Sequence, residues 1–352
     1  LLWRKRVEQL HGSAVAGFLV RSGGQLAVSY RQLFVFDLDG NWLWQSSYPW
    51  EDIALSGVSA DTDGNYYQFA DKLYSYSPTG QIRWTAAFPG LTWDGASFAT
   101  VPLVRGNSDL FFRSSDSHVW RVDAKTGRTV WTTAIPTAAA GLLTSLGLLL
   151  SDGYGTAVDL NSGATSSISG DERKLAPVAA AHDGTVWSLE RKVNEAFASR
   201  FDACGRDLGP SERIGLAVPL VDTRGRFWAG TSGAYHPLAP DGTRGADVVR
   251  APTLIGANGT VFSVSYSSAN GAPIAVVRAS DPDGMEQWNV SVPGLVDDLL
   301  MTLGDDGVLH SVAVEPDGLY LIAIQTNSPG LADTPLPTIL NDNRRSGWPK
   351  AH

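Results

Sequence analysis

The stretch SADTDGNYYQFADKLYSYSPTGQIRWTAAFP, from Ser59 to Pro89, decides the fold. Gly64 and Gly80 sit in two turn signals that separate β-rich runs, so the stretch reads as strand, turn, strand, short loop, strand, turn, strand. No helical periodicity of useful length runs through it. The unit is a four-stranded antiparallel meander.

Outward from this copy, its second turn recurs as a glycine with an aromatic or small residue four positions later. Gly40 precedes Trp44, Gly80 precedes Trp84, Gly127 precedes Trp131 and Gly284 precedes Trp288. Degenerate copies set Gly163 before Ser167, Gly205 before Gly209 and Gly242 before Ala246, and Gly330 marks an eighth turn. Successive glycines lie 40, 47, 36, 42, 37, 42 and 46 residues apart, which is the length of a propeller blade. The first turn repeats independently at Gly24, Gly64, Asp109, Gly147, Gly184, Gly225, Gly259 and Gly307. Upstream of that series, Pro102, Pro177, Pro219 and Pro252 fall where an innermost strand begins, the place where a missing N–H costs least. Asp-Gly and Asn-Gly pairs such as Asp39-Gly40, Asp63-Gly64 and Asn258-Gly259 supply the positive φ that tight hairpins need.

The chain opens in the wrong phase for a complete repeat. LLWRKRV aligns with the outermost strands WLWQSSY, IRWTAAF, TVWTTAI and EQWNVSV, so Trp3 matches Trp44, Trp84, Trp131 and Trp288. The strands that should precede it stand at the other end, in GVLHSVAV and GLYLIAIQTNSPG between Gly307 and Gly330. Residues 1–7 are therefore expected to complete an eighth blade and close the ring. The five tryptophans are expected to pack between blades, because each indole buries on the order of 150–250 Å².

Composition narrows the function. With 43% hydrophobic and 18% charged residues the chain has ample material for a large core. Its net charge of -9 and lack of a basic run argue against a nucleic-acid partner. The most apolar stretch, residues 138–150, is shorter than the roughly 20 residues that span a bilayer and reads as two buried strands. The single cysteine, Cys204, allows no intramolecular disulfide. No charged and apolar leader precedes Leu1, so any secretion signal is expected to have been removed or to lie outside the sequence.

At residues 122–131 the sequence reads VDAKTGRTVW, and Asp159-Leu160-Asn161-Ser162-Gly163 is a partial second copy. These resemble the repeat of the pyrroloquinoline-quinone-like (PQQ-like) β-propeller proteins, and the resemblance covers nearly the whole chain. The tail LPTILNDNRRSG, Leu336 to Gly347, is similar to a segment that accompanies such propellers, with Leu336 in place of a tryptophan. The resemblance implies one of two outcomes: quinoprotein dehydrogenases, which hold quinone and calcium in the central funnel, or a non-enzymatic outer-membrane assembly lipoprotein. The dehydrogenases commonly cover the quinone with a disulfide between adjacent cysteines, which Cys204 cannot form, and their longer insertions have no room in these spacings.

A search for chemistry finds no assembled centre. The histidines His11, His118, His182, His236, His310 and His352 are scattered, and no nucleophile elbow, phosphate loop or dinucleotide fingerprint occurs. The Asp-x-Asp-Gly loops at Asp37, Asp61 and Asp281 lack the further oxygens of a calcium loop and read as aspartate-rich turns. The loops from each outer strand to the next inner one ring one mouth of the funnel. Two of them set tryptophan beside carboxylates, at Trp50-Glu51-Asp52 and Trp93-Asp94, a combination suited to a sugar face or a protein hot spot.

The sequence thus predicts an all-β, eight-bladed β-propeller of four-stranded antiparallel blades, one domain over residues 1–352 with a packed tail at 331–352. No catalytic residue, metal ligand or cofactor is expected. The expected role is a secreted or cell-envelope scaffold that binds a protein partner, in the periplasm, at the outer membrane or outside the cell. The competing readings are a quinone- or calcium-dependent oxidoreductase and a carbohydrate-binding propeller.

Overall fold

The computed structural model describes residues 1–7, 18–29, 32–46, 57–89, 102–114, 116–135, 141–144, 147–150, 156–167, 176–180, 185–192, 195–202, 206–209, 212–214, 220–231, 234–246, 252–269 and 272–332. Among them the regular structure is all strand, with no helix. The chain opens with β1 (Trp3–Arg6). Sheet 1 holds β2 (Phe18–Ser22), β3 (Gln25–Ser29), β4 (Leu33–Asp37) and β5 (Trp42–Gln45); sheet 2 holds β6 (Val58–Ala60), β7 (Tyr66–Phe69), β8 (Leu73–Tyr76) and β9 (Ile82–Ala86). Sheet 3 follows with β10 (Leu103–Arg105), β11 (Asp109–Arg113), β12 (His118–Asp123) and β13 (Thr129–Ala134), and sheet 4 with β14 (Gly141–Thr144), β15 (Gly147–Leu150), β16 (Thr156–Val158) and β17 (Thr165–Ser167). Sheet 5 comprises β18 (Ala176–Ala180), β19 (Val186–Lys192), β20 (Glu195–Phe201) and β21 (Glu212–Ile214), and sheet 6 comprises β22 (Leu220–Val221), β23 (Phe227–Thr231) and β24 (Ala234–Leu238). Sheet 7 is built from β25 (Pro252–Ile255), β26 (Val261–Ala269), β27 (Ala272–Ser280) and β28 (Glu286–Pro293), and sheet 8 from β29 (Leu295–Leu303), β30 (Val308–Glu315) and β31 (Gly318–Gln325). The fourth strand of sheet 8 is β1, which runs antiparallel to β31 with Trp3 opposite Ala323 and Arg6 opposite Tyr320.

Turn chemistry sets these registers. Asp37 Oδ1 accepts the N–H groups of Asp39 at 3.0 Å and Asn41 at 2.8 Å, while Gly40 takes φ 76°. Asp61 and Asp281 do the same for their own turns, so the Asp-x-Asp-Gly pattern is a carboxylate capping its own backbone. Two sequence assignments need correction. In sheet 3 the first turn pivots on Gly106, φ 59°, and Asp109 already begins β11. Gly330 marks no hairpin; the chain leaves sheet 8 after β31 and takes another course, described below. Sheet 6 shows three described strands rather than four, with an isolated bridge from Leu238 to Arg244 where the fourth would run.

Inner strands are buried on both faces, as in β4 and β7, whereas outer strands such as β1, β9 and β13 alternate between exposed and half-buried. Each sheet is therefore sandwiched between neighbours near its inner strands and meets solvent at its outer one. Leu26 and Val28 of sheet 1 join Val312 and Leu321 of sheet 8, while Ala27 and Val35 join Val58 and Tyr66 of sheet 2. Tyr67 and Leu73 continue to Leu110 and Val122 of sheet 3, whose Phe111 meets Val158 of sheet 4. β14 contacts β18, and Trp187 of sheet 5 stacks on Phe227 of sheet 6 at 4.9 Å. Trp228 then packs with Ile255 of sheet 7, and Phe262 with Leu309 of sheet 8.

The glycine and tryptophan of one repeat belong to different joints. A Cβ on Gly80 would lie 2.7 Å from the Trp44 indole of the preceding sheet, and one on Gly127 would lie 2.6 Å from Trp84. Trp3 covers Gly40 and Trp131 covers Gly163 in the same way. The indole N–H groups also reach across, from Trp44 to Pro78 O at 2.9 Å, Trp84 to Ala124 O at 3.0 Å and Trp131 to Leu160 O at 3.2 Å. Trp288 lies half-buried against the core between sheets 7 and 8, with its ring 5.9 Å from Phe262.

Candidate binding face

An antiparallel meander has three turns once the short loop is counted as the second and the Gly40, Gly80 and Gly127 series as the third; the first and third lie at one end of the sheet, while the second and the connection to the next sheet lie at the other. The mouth loops singled out from the sequence, with Trp50, Glu51, Asp52, Trp93 and Asp94, lie outside the described residues. The second turns of sheets 2, 3, 7 and 8 do show how that end is built.

In sheet 2, Tyr74 donates its hydroxyl to Asp71 Oδ1 at 2.7 Å, and the Lys72 ammonium stands 5.9 Å above its ring. Burial, followed by the Asp71 contact, pushes the Tyr74 phenol up to about 12, so it stays a hydrogen-bond donor at ordinary pH. Sheet 8 repeats the arrangement. Tyr320 donates to Asp317 Oδ2 at 2.7 Å, the Arg4 guanidinium lies 3.5 Å from its ring, and Arg4 Nε donates to Glu315 Oε1 at 3.0 Å. Arg6 adds a hydrogen bond to the Asp317 carbonyl. The second turns of these two sheets thus each hold a tyrosine, buried beneath a cation and bound to its own carboxylate.

The turn of sheet 3 gathers serine, aspartate and histidine. Ser114 Oγ donates to Asp116 Oδ1 at 2.5 Å and accepts from Trp120 Nε1 at 2.8 Å, while His118 Nδ1 is 3.2 Å from the same carboxylate oxygen. Those residue types suit acyl transfer only when imidazole stands between serine and carboxylate. Here the carboxylate stands between them and accepts the serine hydrogen bond, so no imidazole is placed to activate the hydroxyl. The Ser114 hydrogen bond holds the Asp116 carboxyl below the usual range. Ser117 closes the turn with φ 68°. Beneath it, Phe112 meets Phe69 at 5.0 Å and Phe88 at 4.9 Å, an apolar floor shared by sheets 2 and 3. In sheet 7 the hairpin of β26 and β27 is longer than those of sheets 1 to 3, and its Tyr266 is exposed with its hydroxyl donated to Val296 O.

Among the described residues, no group of three or more histidine, cysteine, aspartate or glutamate side chains is arranged to hold a metal ion. The Asp-x-Asp-Gly carboxylates lie at the opposite end. Asp61 is buried, with Oδ1 on backbone amides and Oδ2 accepting from Tyr67 at 2.7 Å and Asn65 Nδ2 at 2.8 Å. Burial pushes the Asp37 carboxyl up, but hydrogen bonds from Asn41 and Asp39 outweigh this and leave it below its ordinary range.

Sequence reasoning missed a second set of joint donors. Arg200, buried in β20, donates to Pro240 O of sheet 6 and lies over Gly242. Arg226 donates to Pro282 O of sheet 7 at 2.9 Å and to Asp222 Oδ2 at 2.7 Å. At the joint of sheets 8 and 1, His310 Nε2 lies 3.3 Å from Leu38 O, which can only accept, so Nε2 carries the hydrogen and Nδ1 faces Arg21 at 3.5 Å. The signal in the sequence is negative: Gly209 and Ala246 stand where the preceding repeats would need tryptophan to reach the turns at Gly242 and Gly284.

A family model described as outer membrane protein assembly factor BamB matches residues 31–243. No curated protein matches the sequence. Among solved structures, BamB from Moraxella catarrhalis is similar with a TM-score of 0.59 and 14% identity, over 91% of this chain and 98% of that one. A computationally designed protein, Ika8, is similar with a TM-score of 0.56 and 12% identity, again over 91% of this chain and 98% of its own. At such identities the likeness speaks for the fold, a β-propeller of PQQ-like repeats.

Proposed function

The chain belongs to the family described as outer membrane protein assembly factor BamB, and from that membership we propose that it is a non-catalytic, protein-binding scaffold of the periplasm or outer membrane. In this reading residues 1–352 form one closed, eight-bladed propeller. The contacts of each sheet with the next, and of sheet 8 with sheet 1, support the closed ring. No helix among the described residues is long and apolar enough to cross a membrane.

The observation that carries the binding role is the separation of the polar groups on the second-turn end. Tyr74 with Asp71 and Lys72, Asp116 with His118, and Tyr320 with Arg4 sit on different hairpins, each internally paired. Charged side chains lying over these buried rings, together with the exposed Tyr266 of sheet 7, suit a protein surface. The test is affinity capture from envelope extracts with the full chain. A specific protein should be retained, and retention should fall at least tenfold in Lys72→Glu/His118→Asp while surviving Arg224→Asp at the opposite end. Indifference to all three changes, or dye reduction by pure protein supplied with quinone and calcium, would reject this reading.

A further inference from the structure

β25 is the first strand of sheet 7, and one of its edges has no partner within the sheet. The chain supplies one from far away in sequence. After β31, residues Thr326–Ala332 do not turn back to form a fourth strand for sheet 8. Thr326 N and Oγ1 both donate to Gly307 O, at 2.9 and 2.8 Å, which ties the departing chain to the first turn of sheet 8. Gly330, at φ 106°, then passes close to Asp305, where a Cβ would lie 2.7 Å from Oδ1. From there the chain pairs antiparallel with the open edge of β25, with Leu331 opposite Gly256. Ala257 N donates to Gly330 O and Ala332 N donates to Ile255 O, both at 2.8 Å.

Side chains secure the pairing. Leu331 is 2% exposed and joins the core between sheets 7 and 8, whereas Ala332 is fully buried with Leu220, Trp228 and Ile255 between sheets 6 and 7. Ser328 donates to Gly330 O at 3.0 Å and rests where a side chain at position 256 would stand. Asn258 Nδ2 reaches Asn327 O at 3.3 Å. Gly256 has no positive φ, so glycine is required there by the close approach of the segment rather than by its own backbone.

We propose that the open edge of β25 is a strand-addition site for an extended peptide, and that Thr326–Ala332 is its built-in occupant. Recognition uses the Ala257 N–H, the Ile255 carbonyl, the bare Gly256 and a socket for one leucine-sized side chain followed by a small one. That is main-chain pairing with alternate side-chain selection, the way sheet edges take up peptides generally. The segment thereby keeps this edge from other chains and holds sheets 6, 7 and 8 together. The inference depends neither on the number of blades nor on a protein partner at the other end.

Amide hydrogen exchange on the full chain tests it. In the unaltered protein the Ala257 and Ala332 amides should exchange at least 100-fold more slowly than in an unstructured peptide. Leu331→Asp should speed Ala257 at least tenfold while leaving the amides of Phe36 and Tyr66 unchanged. A synthetic peptide of residues 326–332 added to that variant should slow Ala257 again, and the same peptide carrying Leu331→Asp should not. Leu331→Ser, a milder change in the segment itself that leaves the β25 edge intact, carries the same test if Leu331→Asp does not fold. Unprotected Ala257 in the unaltered protein would overturn the proposal, as would a peptide without effect on a cooperatively folded variant.

Discussion

Between sheets 1 and 4, the carbonyl before each third turn takes its hydrogen from an indole of the preceding sheet; in sheets 6 and 7 the corresponding carbonyl takes it from a guanidinium. Pro78, Ala124 and Leu160 accept from Trp44, Trp84 and Trp131, whereas Pro240 and Pro282 accept from Arg200 and Arg226. What persists around the molecule is a backbone acceptor beside a positive-φ glycine; the side chain that answers it is exchangeable. The exchange changes the physics. An indole is a rigid plate that fills space and donates once, whereas a guanidinium is charged, reaches from other strands and brings a carboxylate such as Asp222 with it.

The comparison breaks most severely at the joint of sheets 8 and 1, where Trp3 covers the turn glycine and His310 faces the Leu38 carbonyl. Deleting residues 1–7 takes away Trp3, which covers Gly40, and Val7, which is 3% exposed. Losing two such side chains costs about 5 kcal/mol or more, comparable with the total stability of a domain. Urea unfolding should show the cooperative transition lost or shifted to far lower denaturant.

The joint between sheets 8 and 1 adds a titrating donor that the indole joints lack. Burial, reinforced by the Arg21 charge, lowers the His310 imidazole from 6.5 to about 4. The unfolded chain then takes up this proton as pH falls through 6.5, while the folded chain resists until about 4. Stability from this group is therefore complete above 6.5, declines between 6.5 and 4, and is lost below. At about 1.4 kcal/mol per pH unit the full loss is about 3 kcal/mol. Burial pushes the Asp306 carboxyl up, but the Arg21 and Val308 hydrogen bonds outweigh it and hold the group below 3.8, so it contributes its own acid loss below this window. Denaturation curves from pH 7 to 4 should show the decline, and His310→Gln should flatten it.

One substitution at equivalent glycines sharpens the contrast. Gly127 and Gly242 have φ 71° and 87°, so alanine strains both backbones by about 1 kcal/mol. At 127 the new Cβ also meets the Trp84 ring at 2.6 Å, whereas at 242 it meets the far end of the long Arg200 side chain at 2.8 Å. Gly127→Ala should cost about 2–3 kcal/mol and Gly242→Ala about 1 kcal/mol, read as a difference in urea midpoints. Equal losses would erase the distinction between the two kinds of joint.

The smallest effect belongs to the charged contact between the first turn of sheet 6 and the third turn of sheet 7. Arg224 and Asp283 are 3.4 Å apart with side chains 54% and 72% exposed. Asp283→Asn should change stability by less than about 0.5 kcal/mol, and added salt should leave it unmoved.

These joints mark the limit of what the sequence makes legible. Turn glycines and outer-strand tryptophans can be read because each is confined to one position by backbone geometry or by bulk. Trp3 reveals the phase of β1 for that reason. Arg200 and Arg226 cannot be read so, because a long side chain reaches the same carbonyl from a different strand. The course of Thr326–Ala332 is equally hidden, since Gly330 satisfies the turn spacing while its positive φ serves a different pairing. On the second-turn end, the sequence points to the connecting loops, while the described groups sit on hairpins whose serine, aspartate and histidine carry no distinctive spacing.

The pairing of Trp3 with Ala323 also sets the order in which the molecule can be finished. β1 is synthesised well before β31, its hydrogen-bonding partner, so it must wait unpaired while the intervening sheets are made. Closing so long a loop is entropically costly and slow. Until they meet, both β1 and β31 are bare edges open to wrong pairing, which makes protection of β1 a condition of a good folding yield.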